Sequence, residues 1–293
     1  MLSVLIVNWN TKDLLLACLE SIFRFPPEVP MEVIVVDNAS TDGSAEAVET
    51  KNEGGAELIR LFPADENLGY AKGNNAAFAL ASGEWLLTLN PDTEVFEGTL
   101  QRAVDTLKRR QTDGALGARQ IASDGSTQRS VRGFPSLLGI AGALTGLDRV
   151  LPNSPFGSYT LPTFDYESEG PAPQPMGTFL LFRREALAQI GDPKRPFDEG
   201  FPIFFNEVDL LYRLKQAGWG CAYDPQVRIL HHGGESTKQV KPKMVWESHR
   251  SLIRYLKKHA LRWWNWPLLY PLFGVIWLGA WVRARKYDVG FRP

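Results

Sequence analysis

Apolar residues along this chain follow two alternating spacings. Short runs rich in Val, Ile and Leu, at Leu2–Val7, Glu32–Val36, Glu57–Leu61 and Trp85–Leu89, read as strands buried on both faces. Between them, Thr11–Phe25, Gly43–Asn52 and Gly69–Ala81 repeat apolar positions at helical spacing. This alternation predicts an α/β fold with a mostly parallel central sheet flanked by helices and joined by right-handed crossovers. A helix at Glu97–Arg110 and a short strand at Ala115–Arg119 extend it. From Ser123 to Gln174 the pattern breaks down, and Pro171, Pro173 and Pro175 are incompatible with a central strand or a helix interior. Regular structure resumes with a strand at Thr178–Arg183 and a short helix to Ile190. A helix at Asn206–Ala217, a strand at Val227–His231 and a helix at Val245–Lys258 follow.

The segment from Trp263 to Val282 differs in kind. It holds no charged residue and five of the nine tryptophans, at 263, 264, 266, 277 and 281. Twenty such residues are long enough to span a bilayer. Pro267 and Pro271 argue against one straight span. Basic residues also flank both sides, Lys257, Lys258 and Arg262 before and Arg283, Arg285 and Lys286 after. A segment lying in one leaflet, with its tryptophans at the headgroups, fits better. A span and an ordinary buried or oligomer-forming helix stay open, as does the oligomeric state.

Composition adds exclusions. A net charge of −1 gives no basic surface for nucleic acid. The two cysteines, Cys18 and Cys221, lack metal-ligand spacing and read as reduced core thiols of a cytosolic protein. Leu2 opens directly into a strand, with no basic stretch before it or cleavage site after it, so no signal peptide is expected.

Four polar segments fall where strands end or helices begin. Asp37 closes the second strand, and Ser40–Asp42 can cap the helix after it. Asn67-Leu68-Gly69-Tyr70-Ala71-Lys72-Gly73-Asn74-Asn75 suits a loop entering a helix, where backbone N–H groups and a lysine attract phosphate. Asn90-Pro91-Asp92 follows the fourth strand and presents a hard carboxylate suited to Mg²⁺ or Mn²⁺. In an open α/β sheet, that carboxyl edge is where ligands bind. Glu207 and Asp209, two apart at a helix start, cannot share one face. His231-His232-Gly233-Gly234-Glu235-Ser236 suggests close approach of a ligand or ion at a strand end. Neither Gly-x-Gly-x-x-Gly nor Gly-Lys-Ser/Thr occurs, so dinucleotide oxidoreductases and phosphate-loop NTPases lose their usual support.

Taken in order with Ser3–Asn8, Val36-Asp37-Asn38-Ala39-Ser40 and Gly177-Thr178-Phe179, these segments resemble glycosyltransferase family 2 over roughly residues 1–260. The bacterial rhamnosyltransferase-like branch of surface polysaccharide assembly is the best match. The resemblance implies the GT-A (nucleotide-diphospho-sugar transferase) fold, a dTDP-, UDP- or GDP-linked sugar donor, a divalent metal and inversion at the anomeric carbon. It places Val7, Asn8, Asn10, Asp37, Asn67, Gly69, Lys72, Asn74, Asn90, Pro91 and Asp92 around the donor. It puts Gly177, Thr178 and Asn206 on the acceptor side, and Asp92 with His231 at the metal. Asn90-Pro91-Asp92 stands where most members have Asp-x-Asp, so Asp92 carries most of the metal charge. The family's Glu-Asp pair aligns with Asn206-Glu207, which makes Glu207 the expected base and Asp209 the alternative.

The expected organisation is a glycosyltransferase domain at 1–260, with a nucleotide-sugar half at 1–120 and an acceptor and catalytic half at 121–260. A membrane-associating tail follows at 261–293. The expected activity is metal-dependent, inverting transfer of a sugar, rhamnose among the candidates, to a lipid-linked or glycan acceptor hydroxyl. The expected place is the inner face of the cell membrane, bound peripherally. A non-catalytic nucleotide-sugar-binding subunit at the membrane is the rival, and donor turnover separates the two. Nucleotidyltransferase chemistry would want a Gly-rich basic loop after the first strand, and Asn8-Trp9-Asn10-Thr11-Lys12 is not one.

Overall fold

A computed structural model describes residues 1–53, 59–233, 241–263 and 265–288. Glu57 and Leu58 of the expected third strand, the Gly234-Glu235-Ser236 part of the histidine motif, and Trp264 lie outside these residues. Four strands, β1 (Leu2–Asn8), β2 (Met31–Asp37), β3 (Ile59–Pro63) and β4 (Trp85–Leu89), form a parallel sheet in the order β3-β2-β1-β4. Helices α1 (Lys12–Arg24), α2 (Ser44–Glu53) and α3 (Gly69–Leu80) supply the crossovers.

Beyond β4 the sheet becomes mixed. β10 (Phe179–Arg183) runs antiparallel between β4 and β6 (Asp113–Ile121), and β6 pairs in parallel with β11 (Gly220–His231). An unanticipated strand, β5 (Thr93–Val95), lies antiparallel on the far side of β11. β11 starts seven residues before the strand expected at Val227, because a register shift at Asp224/Arg228 breaks its pattern in the middle.

The stretch from Ser123 to Gln174 is not structureless. It contains β7 (Val131–Arg132), α5 (Leu137–Thr145), α6 (Leu147–Val150), β8 (Gly170–Pro171) and β9 (Gln174–Pro175). The alternating prolines are tolerated because β8 and β9 are two-residue pieces at the periphery. Ser136 caps α5 by accepting from the Gly139 N–H at 3.0 Å, a signal the Gly- and Pro-rich composition masked.

Period-two alternation sorts the sheet residues onto two faces. Leu2, Val4 and Ile6 face α1 and α4 (Thr99–Arg109), joining Leu19, Leu87 and Val104 in one cluster. Leu5 and Ile34 face α3 and α8 (Asn206–Gln216), joining Phe78, Phe182 and Leu210 in the other. Each such side chain contributes about 1.5–3 kcal/mol on burial. The short helix α7 (Arg184–Ile190) follows β10 directly. A third cluster joins Val208 of α8, Ile253 and Leu256 of α9 (Lys241–His259), and Leu269, Phe273 and Ile276 of α10 (Trp266–Asp288).

The proline expectation for the tail is corrected by α10, which runs unbroken through Pro271. Pro267 falls at the second helical residue, where a missing N–H costs nothing, and Pro271 follows only one turn later. By length and composition α10 could cross a membrane. One seam of it, Leu269, Phe273, Ile276, Ala280 and Ala284, is nevertheless buried.

Gly73 is a close joint between sheet and helix, since a Cβ there would come within 2.8 Å of Val7 Cγ1. Gly73→Ala should therefore push α3 off β1 and cost about 1–3 kcal/mol in urea unfolding. A wild-type midpoint would show that the joint is looser than described.

Candidate active site

Strand direction assembles the site. β1, β2, β4 and β11 all point the same way, so their carboxyl ends deliver Asn8, Asp37, Asn90-Pro91-Asp92 and His231 to one edge. β10 runs the other way and contributes its amino end, where Thr178 O accepts from Asn90 N at 2.9 Å.

At one end of this edge, Asp37 is buried and its carboxylate staples two loops together. Oδ1 accepts from Asn8 Nδ2 at 2.9 Å, and Oδ2 accepts from the Ser40 N–H at 2.9 Å. Asn10 reinforces this staple, as its N–H donates to Ser40 Oγ and its Oδ1 accepts from the Thr41 N–H. A carboxylate has about four lone-pair directions, so Asp37 keeps capacity for a further donor. Val7 lies beneath α3 and is a packing residue here.

The start of α3 corrects the phosphate-cradle expectation. Gly69 N donates to Asn67 Oδ1 at 2.9 Å, and the Tyr70 and Ala71 N–H groups both donate to Pro202 O. These orphan donors are already satisfied by protein oxygens. Asn74 Nδ2 bonds back to Tyr70 O at 2.9 Å, so it is engaged within its own helix. Lys72 is exposed on the side of α3 turned away from Tyr70 and Asn74, about 200° from Tyr70. Its charge is felt by Glu199, which is held below the usual range first by hydrogen bonds from Asn75 and Arg195.

The metal candidates do come together. Antiparallel pairing sets His231 opposite Thr93, and His232 N donates to Asp92 O at 3.0 Å. His231 Nε2 then lies 3.6 Å from Asp92 Oδ2. Gln128, which sequence reasoning missed, orients the ring. Its Nε2 donates to His231 O at 3.1 Å, which turns its Oε1 toward His231 Nδ1 at 2.7 Å. An amide oxygen can only accept, so Nδ1 carries the proton and Nε2 faces Asp92. A separation of 3.6 Å lets both atoms reach one ion at about 2.1 Å. No group of three ligating side chains occurs among the described residues. The pair therefore fits an ion that takes its remaining oxygens from a bound phosphate.

The opposite end holds Glu207. It is half-buried in the first turn of α8, and a Cβ on Gly177 would sit 3.4 Å from its Cγ. Burial, only partly offset by backbone hydrogen bonds, raises its carboxyl from 4.5 to about 7. Tyr70 stands between the two ends. Its hydroxyl donates to Gly177 O at 3.0 Å, and it feels the charges of both Glu207 and Asp92. Asn206 accepts from the Glu207 N–H at 2.7 Å, while its buried Nδ2 finds no hydrogen-bond partner among the described residues.

Asp209 is turned away, and this corrects its standing as an alternative base. It is fully buried, with Oδ1 2.7 Å from both Lys258 Nζ and His259 Nε2, and Oδ2 2.9 Å from Arg213 Nε. Burial alone would raise its pKa, but hydrogen bonds from His259 and Lys258 and the nearby positive charges bring it down to about 2. Such a group stays ionised and binds protons poorly. Cys18, raised to about 12 chiefly by burial, is an inert thiol beneath Asn90.

Residues 3–191 match the family described as glycosyl transferase family 2. The chain belongs to that family. It is similar to an N-acetylglucosaminyl-diphospho-decaprenol L-rhamnosyltransferase of Mycobacterium tuberculosis, with 31% identity over 270 residues, covering 88% of this chain and 85% of the relative. Among solved structures it resembles a mannosyltransferase of Pyrobaculum calidifontis in complex with GDP-Man and Mn²⁺. The TM-score is 0.61 at 19% identity, covering 100% of this chain and 76% of the other. It also resembles S. aureus TarS in complex with UDP-GlcNAc, with a TM-score of 0.58 at 17% identity over 93% of this chain and 71% of the other. These structures show the GT-A fold, and the chain is a glycosyltransferase.

Asp209→Asn should leave Arg213 and His259 without their carboxylate and destabilise the protein by on the order of 3 kcal/mol, the low end because Lys258 keeps a second carboxylate, Asp198, at 2.7 Å. Because the native carboxyl is depressed, that contribution is present above about pH 4 and fades toward about pH 2. Unchanged thermal stability at neutral pH would refute the clamp.

Proposed function

We propose that the chain transfers a sugar, rhamnose first among the candidates, from a nucleotide diphosphate donor to a hydroxyl of a lipid-linked acceptor, with inversion. The activity of the mycobacterial relative supports both the sugar and the lipid-linked acceptor. The observation that carries the mechanism is Glu207, a desolvated carboxyl at about 7, set across Tyr70 and Gly177 from the Asp92–His231 pair. A single in-line displacement needs a base for the attacking hydroxyl and stabilisation of the leaving diphosphate, and the two ends supply these separately.

Glu207 takes the acceptor proton, and Asn206 Nδ2 donates to the acceptor side to orient it. Gly177 leaves room for the acceptor beside the base, and Thr178 fixes the Asn90 backbone. Asp37 receives the nucleoside. Mg²⁺ or Mn²⁺ would be held by Asp92 and His231 with the diphosphate oxygens, and when bound it neutralises charge growing on the leaving group. Residues 1–120 thus form the donor half and 121–260 the acceptor half.

The tail fits docking on the cytoplasmic leaflet. Away from its buried seam α10 exposes Leu268, Leu278 and Val282, with Trp266, Tyr270 and Trp281 along its side and Arg283 and Arg285 at its end. Amphipathic bases of this kind lie in the interface, and each nearby Lys or Arg adds about 1 kcal/mol toward an anionic surface. Leu278→Glu with Trp281→Ala should release the protein from anionic liposomes in flotation while thermal stability holds. Co-flotation equal to the parent would remove α10 as the docking face.

Glu207→Gln should cost on the order of 10²–10⁴ in turnover with donor affinity kept. Parent kcat/KM should rise with pH and level off above about 7, because only the ionised carboxylate accepts the proton. Stability runs the opposite way. The native state keeps the Glu207 proton while the unfolded chain loses it near 4.5, so stability falls as pH rises from about 4.5 to about 7. Glu207→Gln should lack that slope in a melting series, and an unchanged slope would count against the desolvated site.

A further inference from the structure

Arg132 lies outside the chemistry described so far, on a strand whose pairing leads toward Glu207, and its side chain reaches that end of the site through Tyr159. β7 pairs with β9, placing Arg132 opposite Gln174, and Met176 N donates to Ser130 O at 2.8 Å. The next residue is Gly177, packed against Glu207. The Arg132 side chain is exposed, lies 5.7 Å over the Tyr159 ring, and forms no ion pair among the described residues. Tyr159 continues the wall toward the base. Its hydroxyl, made less acidic first by burial, feels both the Arg132 charge and the Glu207 carboxylate.

An apolar surface begins six residues after Arg132, at Leu138. A Cβ on Gly139 would come within 2.8 Å of Tyr159 Cβ, and one on Gly142 would collide with Phe156 O, so the inner side of α5 is closed. Its outer side and α6 expose Leu138, Leu144, Leu147 and Val150. Ile140 of α5 shares a cluster with Leu269 and Phe273 of α10, so this surface is continuous with the helix that bears the exposed tryptophans.

We propose that Arg132 and the outer face of α5–α6 form the acceptor subsite. The guanidinium takes the phosphate oxygens of a polyprenyl-diphosphate-linked acceptor, and Leu138, Leu144, Leu147 and Val150 carry its first isoprene units. This rests on the lipid-linked reading of the acceptor given above. The guanidinium fork matches a phosphate in two hydrogen bonds and is not already spent on a carboxylate. Branched aliphatic side chains without a polar atom suit a hydrocarbon and offer no hydrogen bond to a sugar.

The test uses full-length protein and calorimetry with farnesyl diphosphate, farnesol and inorganic diphosphate, beside a panel of nucleotide sugars. Arg132→Ala should weaken farnesyl diphosphate by on the order of tenfold or more while leaving farnesol and nucleotide sugars unchanged. Arg132→Lys should keep part of the loss back. Leu144→Glu, at an exposed position, should weaken farnesyl diphosphate and farnesol but not inorganic diphosphate. Equal weakening of the nucleotide sugar by Arg132→Ala would assign the arginine to the donor and overturn the proposal. Farnesyl diphosphate binding that ignores both variants overturns it as well. If no nucleotide sugar binds while the farnesyl pattern holds, the donor reading fails and the subsite stands.

Discussion

A carboxylate cut off from solvent fixes the orientation of the helix that carries the proposed base. Asp209 draws Arg213 from its own helix and Lys258 and His259 from α9. Taking a charge out of water costs several kcal/mol, so such a cluster persists only when its geometry is satisfied. That requirement fixes the rotation of α8 about its axis. Glu207 lies two residues earlier, about 200° around the helix, so clamping Asp209 inward on one side turns Glu207 toward Tyr70 and Gly177 on the other. Two acids two positions apart thereby acquire opposite states. The one surrounded by cations falls to about 2, and the one in a desolvated recess rises to about 7.

The opposite end of the site depends on backbone pairing. After Pro91 the chain folds straight into β5, whose partner is the last residues of β11. Asp92 and His231 meet because two strand ends are in register, with the His232 N–H bonded to Asp92 O between them. Gln128 completes the arrangement from a segment far away in sequence. With asparagine at position 90, the site offers one carboxylate and one imidazole. Such a pair would bind an ion weakly until diphosphate oxygens joined it, which would couple metal affinity to donor occupancy.

The parallel half of the sheet was legible because β1, β2 and β4 are uninterrupted apolar runs, and runs of that kind have few alternatives to a strand buried on both faces. Glu207, Asp92 and His231 were legible as candidates through motif order, since each sits at an element end where composition changes. Other features were hidden for physical reasons. β5 is three residues long and has no period to detect. Asp209 and Glu207 look alike in sequence, and only the cations brought by α9 distinguish them. The N–H groups at the start of α3 seemed ready for phosphate, but Pro202, more than 130 residues downstream, supplies the oxygen that takes them. Gln128 and Arg132 sit in a stretch whose Gly and Pro content obscures the local pattern, and their positions come from pairing with residues near 175 and 231.

Packing in the third cluster bears on how the C-terminal helix can use its apolar surface. Leu269, Phe273 and Ile276 of α10 cover Ile253 and Leu256 of α9, and the same cluster includes Val208, the residue next to Glu207. Detaching α10 to form a free span would strip that cover and expose apolar surface beneath the proposed base. Trp246 of α9 and Trp277 of α10, with ring centroids 5.6 Å apart, tie the two helices together near the middle. A helix that keeps its seam on the body while presenting the opposite flank to lipid meets both demands. It would leave the clamp around Asp209 intact and bring the face formed by α5, α6 and α10 to the bilayer. The geometry that holds Glu207 in place and the geometry that would receive a lipid-borne hydroxyl are therefore parts of one packed unit.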